Sequence, residues 1–220
     1  MKAVRRFAIV GLLFIGIWSY AQETIPFEDE VQEIVERNDS LWDASRTTIV
    51  FTGSSSIRLW EDLQQRFPSQ QVLNTGFGGS QSTDLLHHLE KLVLRYKPNK
   101  VFIYEGDNDI FAKKPPREIL ATTLEIVTRL KSAVPALEIV LISAKPSISR
   151  WKYRGKYKRL NKKFMKLAQQ LPDLSFVDVW YPMLNGRKLR KDIFISDGLH
   201  MNTTGYDIWY EVLREYVEAP

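Results

Sequence analysis

The sequence predicts an α/β fold in which about five parallel strands form one sheet with helices on both faces. Short apolar runs rich in β-branched residues alternate along the chain with segments whose apolar residues recur at helical spacing. Such alternation indicates βαβ units, in which successive strands are parallel and the crossovers are right-handed. The 220 residues, of which 44% are hydrophobic and 26% charged, fit one globular domain with an adequate core.

The predicted elements follow from these runs and from their boundary residues. Strands are expected at 48–52, 71–74, 100–105, 138–143 and 174–179. Helices are expected at 84–96, 115–134, 156–171 and 204–217. Ser82 and Thr83 precede the first of these helices, and Pro135 ends the second. Ligands of such sheets bind beyond the carboxyl ends of the strands, so the segments that follow the strands are where function is expected.

The first 21 residues differ in composition from the rest of the chain. Three basic residues precede an apolar run at 7–18, and the small residues Ser19 and Ala21 follow it. This layout predicts a secretory signal peptide at 1–21, cleaved after Ala21, and a single domain at 22–220. The alternative is an uncleaved membrane anchor, for which the apolar run is short. The mature protein is therefore expected to be secreted or periplasmic.

Charge and cysteine content narrow the function classes. Without the three basic residues of the first 21, 28 Lys and Arg remain against 26 Asp and Glu, so the formal charge falls from +5 to +2. The excess of basic over acidic residues is therefore partly due to the predicted signal peptide, and no nucleic-acid partner is predicted. The chain contains no cysteine, which excludes disulfides, Cys–Zn sites and a thiol nucleophile.

Four polar or glycine-rich segments follow predicted strands or precede the last helix. They are FTGSSSI at 51–57, NTGFGGS at 74–80, EGDND at 105–109 and SDGLHMN at 196–202. A serine at a strand-to-helix turn is placed for nucleophilic attack, and Asp and His three residues apart can hydrogen-bond so that the imidazole is oriented. Each segment alone has an ordinary structural alternative, such as a helix cap, a flexible turn or a surface contact. Their combination in one chain is more specific than any one of them.

Taken in order, these segments resemble the conserved blocks of the SGNH (GDSL-like) hydrolase superfamily over nearly the whole mature chain. That family carries Ser in a Gly-Asp-Ser block, then a Gly, an Asn in a Gly-x-Asn-Asp block, and Asp-x-x-His near the end. By this resemblance Ser55 is the nucleophile, and Asp197 and His200 complete a catalytic triad. The backbone N–H groups of Ser55 and Gly79 and the side-chain amide of Asn108 would form the oxyanion hole. The resemblance implies a flavodoxin-like, three-layer α/β sandwich and a serine esterase that needs no metal or other cofactor.

The first block departs from the family pattern. Ser54 stands where the family has Asp, and Ser56 follows, so three adjacent serines are candidates for the nucleophile. The family register favours Ser55. The replaced Asp is not a triad member, so the mechanism is expected to be intact and only the geometry of the loop to change.

A basic stretch at 145–166 contains ten Lys or Arg and no acidic residue, interleaved with aromatic residues. It is expected either to face anionic glycans, lipopolysaccharide or phospholipid headgroups, or to be a solvated helix face whose aromatic residues serve the core. Contact with a membrane is left open. Trp60, Tyr104 and Trp151 are likewise expected either to line a substrate pocket or to pack in the core.

The sequence predicts ester hydrolysis but leaves several classes of ester substrate open. The chain is near minimal for this fold and leaves little length for a lid, which favours short acyl groups, including acetyl, on small molecules or glycans. One alternative is a lipid-directed esterase or lysophospholipase that works at a membrane surface. Another is a non-catalytic envelope-binding module, which the complete set of five functional positions disfavours.

We expect N-terminal sequencing or intact-mass measurement of the exported protein to show a chain that begins at Gln22. The reason is the order of the positive, apolar and small-residue segments, which is the layout of a cleaved signal peptide. A membrane-bound mature protein that retains residues 1–21 would contradict this prediction and favour the anchor.

Overall fold

The computed structural model describes residues 25–218, so the predicted signal peptide at 1–21 lies outside the described residues. Its five main strands are Thr48–Gly53 (β1), Gln71–Gly76 (β2), Lys100–Tyr104 (β3), Glu138–Ile142 (β4) and Leu174–Val177 (β5). All neighbouring strands pair in parallel, in the order β2-β1-β3-β4-β5. This is the flavodoxin-like order of a doubly wound sheet. The predicted α/β class, with about five parallel strands, is confirmed.

Helices connect the strands. They are Glu28–Asp39 (α1), Ser55–Arg58 (α2), Leu63–Arg66 (α3), Ser82–Leu92 (α4), Asp107–Phe111 (α5), Pro116–Ala133 (α6), Arg154–Ala168 (α7) and Thr203–Glu218 (α8). Short 3-10 turns occur at Leu94–Tyr96 and Trp151–Tyr153, and Leu184–Asn185 (β6) pairs with Lys188–Leu189 (β7) in an antiparallel hairpin. The four predicted helices correspond to α4, α6, α7 and α8, whereas α1, the short helices α3 and α5 and the hairpin were not predicted. Within residues 25–218, no helix is long and apolar enough to cross a membrane.

Two apolar cores lie on opposite faces of the sheet, because successive side chains of a strand point to opposite sides. In β1, Ile49 and Phe51 join one core and Val50 joins the other. The core that contains Val50 is covered by α1, α4, α6 and α7, and the other is covered by α2, α3 and α8. A parallel sheet needs cover on both faces. The result is the three-layer sandwich that the sequence predicted.

The carboxyl ends of β1, β2 and β3 lie level with one another. Gly53 at the end of β1 pairs with Gly76 of β2 on one side and with Tyr104 of β3 on the other. Gly53 has a φ of +123°, and a Cβ at this position would lie 2.0 Å from the carbonyl oxygen of Tyr104. The N–H of Ser54 donates to that same oxygen at 3.1 Å. The glycine therefore lets the chain turn sharply out of β1 while it stays close to β3.

The helix α1, which precedes the first strand, contacts the end of β2. The side-chain amide of Asn38 and the guanidinium of Arg37 donate to the carbonyl oxygen of Asn74 at 2.9 and 3.0 Å. One carboxylate oxygen of Glu30 accepts the N–H of Gly78 at 2.8 Å. The helix thus fixes the glycine-rich turn that follows β2.

We expect Gly53→Ala to lower the free energy of unfolding by at least about 2 kcal/mol, because the new methyl group combines a clash with an unfavourable φ. Urea unfolding followed by circular dichroism measures the change. Gly155→Ala is the matched control: Gly155 lies in α7, and an added Cβ there meets its nearest neighbour at an ordinary 3.7 Å. This control should stabilise the protein by about 0.5–1 kcal/mol. Equal effects of the two substitutions would show that the close approach at Gly53 is unimportant.

Candidate active site

Ser55, His200 and Asp197 form one continuous chain of hydrogen bonds. The Oγ of Ser55 lies 2.9 Å from Nε2 of His200, and Nδ1 of His200 lies 2.5 Å from Oδ2 of Asp197. Ser55 is the first residue of α2, directly after β1, while the other two residues lie in the loop before α8. The fold therefore brings together, at the carboxyl end of the sheet, side chains that are 145 positions apart in the chain.

The loop itself holds the carboxylate of Asp197. Oδ1 accepts the backbone N–H groups of Leu199 at 2.8 Å and of His200 at 2.9 Å. Desolvation opposes ionisation, but these two N–H groups and the imidazole outweigh it and lower the pKa of Asp197 to about 2. A carboxylate that is charged at neutral pH favours the proton on Nδ1 of His200. Nε2 is then free to accept the hydroxyl hydrogen of Ser55.

The three adjacent serines differ in environment. Ser54 and Ser56 are 2% and 3% exposed, whereas Ser55 is half-buried with its hydroxyl toward His200. Ser54 occupies the N-cap position of α2 in an extended conformation, and its carbonyl oxygen accepts the N–H of Ile57 at 2.8 Å. The capping position, which was the structural alternative for this serine segment, therefore belongs to Ser54.

Gly79 and Asn108 follow the two strands that flank β1 in the sheet. Gly79 lies in the turn after β2 and Asn108 lies in the first turn of α5 after β3, so both segments neighbour the turn after β1 that leads to Ser55. Gly79 is exposed and has a φ of +75°, a value that favours glycine. The amide nitrogen of Asn108 donates to the carbonyl oxygen of Ser80 at 2.8 Å. This amide carries two hydrogens, and Ser80 uses one of them.

A buried polar cluster lies behind Asn108, centred on the carboxylate of Asp107. That carboxylate accepts hydrogen bonds from Arg150 at 2.7 Å, from the hydroxyl of Tyr104 at 3.1 Å and from the hydroxyl of Tyr157. The ammonium of Lys145 lies 3.8 Å away, and Lys145 is fully buried. Burial opposes ionisation, but Lys145 and Arg150 together lower the pKa of Asp107. Burial lowers the pKa of Lys145, and the charge of Asp107 opposes that shift. The cluster is therefore an ionised carboxylate between the guanidinium of Arg150 and the side-chain nitrogen of Lys145.

Each cation of this cluster also contacts a different part of the site. Lys145 donates to the carbonyl oxygen of Leu199 at 2.6 Å, next to His200. Arg150 donates to Oδ1 of Asn108 at 3.0 Å. Sequence reasoning assigned Asp107, Lys145 and Arg150 no role in the site. The available signal was their position, because each lies in a segment that follows a buried strand.

The structure distinguishes the alternatives left open for the surrounding residues. The basic stretch was expected either to face an anionic partner or to be a solvated helix face, but its members Lys145 and Arg150 do neither, because both are buried beside Asp107. Trp60 and Tyr104 are 1% and 0% exposed, so they pack in the core and do not line a pocket. Trp151 is half-buried and stacks on Trp180, with ring centroids 6.1 Å apart.

Comparison with solved structures identifies proteins of the same fold. A protein of Streptococcus pneumoniae named for platelet activating factor is 27% identical, with a TM-score of 0.75 over 86% of this chain and 93% of that one. A GDSL-like lipase from Bacteroides thetaiotaomicron is 20% identical, with a TM-score of 0.73 over 86% of this chain and 97% of that one. A catalytic mutant of an acetylxylan esterase from Geobacillus stearothermophilus is 20% identical, with a TM-score of 0.65 over 77% of this chain and 93% of that one. The last two likenesses show the fold alone.

Sequence comparison gives the family. No curated protein sequence matches the chain. The profile of the GDSL-like Lipase/Acylhydrolase family matches residues 39–208, which include all five sequence-predicted site positions and both of the buried cations. The chain therefore belongs to the GDSL-like lipase/acylhydrolase family, and it is a carboxylic ester hydrolase.

Proposed function

We propose that this protein is a serine esterase that hydrolyses short-chain acyl esters, acetyl esters included, on small molecules or glycans. The observation that carries the proposal is the hydrogen-bonded chain from the Oγ of Ser55 through His200 to Asp197. A half-buried hydroxyl in contact with an imidazole that is itself held by a carboxylate is the arrangement that serine hydrolysis requires.

In the proposed mechanism, His200 accepts the hydroxyl proton as the Oγ of Ser55 attacks the ester carbonyl. Asp197 holds the imidazole in the required tautomer and stabilises its charged form. The tetrahedral intermediate collapses to an acyl-enzyme when His200 returns the proton to the leaving alcohol. Water, deprotonated by the same imidazole, then attacks the acyl group. The bond from the acyl carbon to the Oγ of Ser55 breaks, His200 returns the proton to Oγ, and the acid is released.

The charge that develops on the carbonyl oxygen needs hydrogen-bond donors. We assign this role to the backbone N–H groups of Ser55 and Gly79 and to the side-chain amide of Asn108. The N–H of Ser55 belongs to the first turn of α2, and the remaining amide hydrogen of Asn108 supplies a donor from the neighbouring strand end. Each such donor stabilises the transition state by about 3 kcal/mol.

Two features support short esters met outside the cytoplasm. The connections after β1, β2 and β3 are at most five residues long, so within residues 25–218 these three connections form no lid and leave the site open on their side. The signal-peptide pattern at 1–21 supports export to the periplasm or beyond. An exported esterase with an open site can act on acyl groups carried by extracellular glycans.

Exposed apolar side chains near the site favour a second candidate, an esterase for longer acyl chains or lipids. Phe111, Ile148 and Ile195 are 54%, 38% and 46% exposed. Phe111 follows Asn108 by one helical turn, and Ile195 lies two residues before Asp197. Such side chains can contact an acyl chain longer than acetyl.

We expect Ser55→Ala to remove nearly all turnover of a chromogenic acetyl ester, because no other hydroxyl contacts His200 among the described residues. Ser54→Ala and Ser56→Ala are matched controls that should keep most activity if circular dichroism shows an intact fold. Asn108→Ala should lower kcat by about a hundred- to a thousandfold, the effect of one lost oxyanion donor. A fluorophosphonate adduct on Ser54 or Ser56, mapped by mass spectrometry, would refute the assignment.

The same assay separates the candidate reactions. Hydrolysis should survive EDTA, since residues 25–218 contain no cluster of three His, Asp or Glu that could hold a metal ion. Loss of activity in EDTA that zinc restores would contradict the serine mechanism. Activity that rises steadily from acetyl to long acyl chains would establish the second candidate in place of the first.

A further inference from the structure

The basic stretch at 145–166 forms an exposed cationic surface once the two buried cations are set aside. We call this surface the basic face; its residues are Lys152, Arg154, Lys156, Lys158, Arg159, Lys162, Lys163 and Lys166. All eight are exposed or half-exposed, and none pairs with a carboxylate within residues 25–218. Basic residues of other helices do find partners, as Arg129 does with Glu125 in α6.

The basic face is distinct from the part of α7 that supports the fold. Tyr157, Leu160, Phe164 and Leu167 of α7 are buried in the core. The cations occupy the other side of the helix, where no carboxylate within residues 25–218 pairs with them to offset their mutual repulsion. Because the stretch holds ten basic residues and residues 22–220 have a formal charge of only +2, the remainder of that span is net acidic. The protein therefore concentrates its positive charge on one face.

A groove beside the basic face combines cations with aromatic and polar groups. It lies between α7 and the end of β5, has a volume of about 290 Å³ and is lined in part by Lys158, Lys162, Tyr181 and one carboxylate, that of Asp178. The Oδ1 of Asp178 already accepts hydrogen bonds from the hydroxyl of Ser143 and the N–H of Trp180. Tyr181 is 62% exposed, and the ammonium of Lys158 lies 5.9 Å from the centre of its ring. An exposed aromatic ring next to ammonium groups fits a sugar ring that carries a carboxylate.

The basic face begins next to the candidate active site. The 3-10 turn Trp151–Tyr153 directly follows Arg150, which contacts Asn108, and Tyr153 packs against Phe111. From there the 15 residues of α7 extend about 22 Å. A linear polymer that lies along α7 therefore has one end at the site.

We propose that the basic face binds an acidic polysaccharide, whose carboxylates recur along the polymer, and so brings its ester groups to Ser55. The delivery of esters rests on the proposed function, whereas the binding does not. A lipid bilayer fits less well, because the apolar side of α7 is already buried in the core and an interfacial helix needs that side free.

The test measures binding of the Ser55→Ala protein to unesterified polygalacturonate by calorimetry at low and raised salt. Replacement of Lys158 and Lys162 by Gln should weaken binding about tenfold at low salt, and the effect should shrink as salt rises. Replacement of Arg187 and Lys188 by Gln is the matched control. Arg187 and Lys188 are exposed, as Lys158 and Lys162 are, and their replacement removes the same charge. They lie in the β6–β7 hairpin, away from the basic face. The control should bind within about twofold of the parent.

Equal weakening by the two double variants would show a general charge effect and overturn the proposal. Binding to phosphatidylglycerol vesicles without binding to polygalacturonate would also overturn it, in favour of a lipid surface. Binding that depends on Lys158 and Lys162 in a protein whose wild type hydrolyses no ester would refute the proposed function and leave this proposal standing.

A second inference rests on a different observation, the contacts of the buried Arg150. A single nitrogen of its guanidinium donates both to Asp107, at 2.7 Å, and to Oδ1 of Asn108, at 3.0 Å. The guanidinium also lies over the ring of Phe111, 4.5 Å from its centre. Arg150 is thus held from two sides and aimed at the oxygen of the Asn108 amide.

This contact determines which way the amide of Asn108 faces. With its oxygen bound to a guanidinium, the amide must direct its nitrogen toward Ser80 and the turn after β2. The positive charge also draws electron density toward the oxygen, so the amide hydrogens become better donors. We infer that Arg150 is a positioning residue that acts on the oxyanion through Asn108, an inference that rests on the oxyanion role proposed above for Asn108.

A double-mutant cycle distinguishes this role from a purely structural one. Arg150→Met should lower kcat for a neutral acetyl ester by about tenfold or more with little change in KM. In the Asn108→Ala background the same substitution should lower kcat by no more than about twofold, because its route to the oxyanion is already lost. Arg187→Met, at an exposed position in the turn between β6 and β7, should leave kcat unchanged.

Arg150→Lys distinguishes loss of positioning from loss of folding. It keeps a positive charge beside Asp107, but the lysine side chain lacks the guanidinium that donates to Asn108. It should retain the thermal stability of the wild type and still lower kcat. Multiplicative effects of the Arg150 and Asn108 substitutions, or a folded Arg150→Lys protein with wild-type kcat, would overturn the inference.

Discussion

The site depends on the burial of one carboxylate, that of Asp107. An ionised group at 4% exposure is stable only when cations and hydroxyl groups replace the water it has lost, and Lys145, Arg150, Tyr104 and Tyr157 do so. Removing one partner from such a pair typically costs about 3–5 kcal/mol, so the cluster strongly favours one arrangement of its members. Since those members come from the end of β3 and the segment that follows it, from the segment after β4 and from α7, the cluster fixes three parts of the chain relative to one another.

The parallel sheet supplies the second constraint, because it makes the ends of its strands converge. β2, β1 and β3 end level, and Gly53 permits a turn that an added Cβ would block. Each strand therefore contributes one polar turn to the same edge of the sheet. The loop before α8 joins them from the opposite end of the chain, and Lys145 holds its Leu199 carbonyl oxygen. The convergence of the strand ends and the buried charge of Asp107 together bring the side chains of Ser55 and His200 within hydrogen-bonding distance.

Patterns that repeat along the chain were predictable, whereas single contacts were not. The apolar runs and helical spacing gave five strands and four of the helices, because burial on both faces leaves a continuous signal. The helix α1 was not predicted, although its first turn contains the acidic residues Glu28, Asp29 and Glu30. It precedes the first strand and therefore lies outside the alternation of strands and helices from which the other helices were predicted. The pairing of Ser55 with His200 was expected from family resemblance and could not have come from spacing, because their separation of 145 positions says nothing about distance.

The basic stretch shows where sequence reasoning reaches its limit. Lys145 and Lys158 have the same side chain in the same run of basic residues, yet Lys145 is fully buried against a carboxylate and Lys158 lies exposed beside Tyr181. The difference arises from position, because Lys145 follows a buried strand and Lys158 lies on the outer side of a helix. The amino-acid composition of the stretch does not distinguish Lys145 from Lys158. A charged residue at the carboxyl end of a buried strand must find a partner within the fold, and that requirement is a better guide to the site than the total charge of the segment.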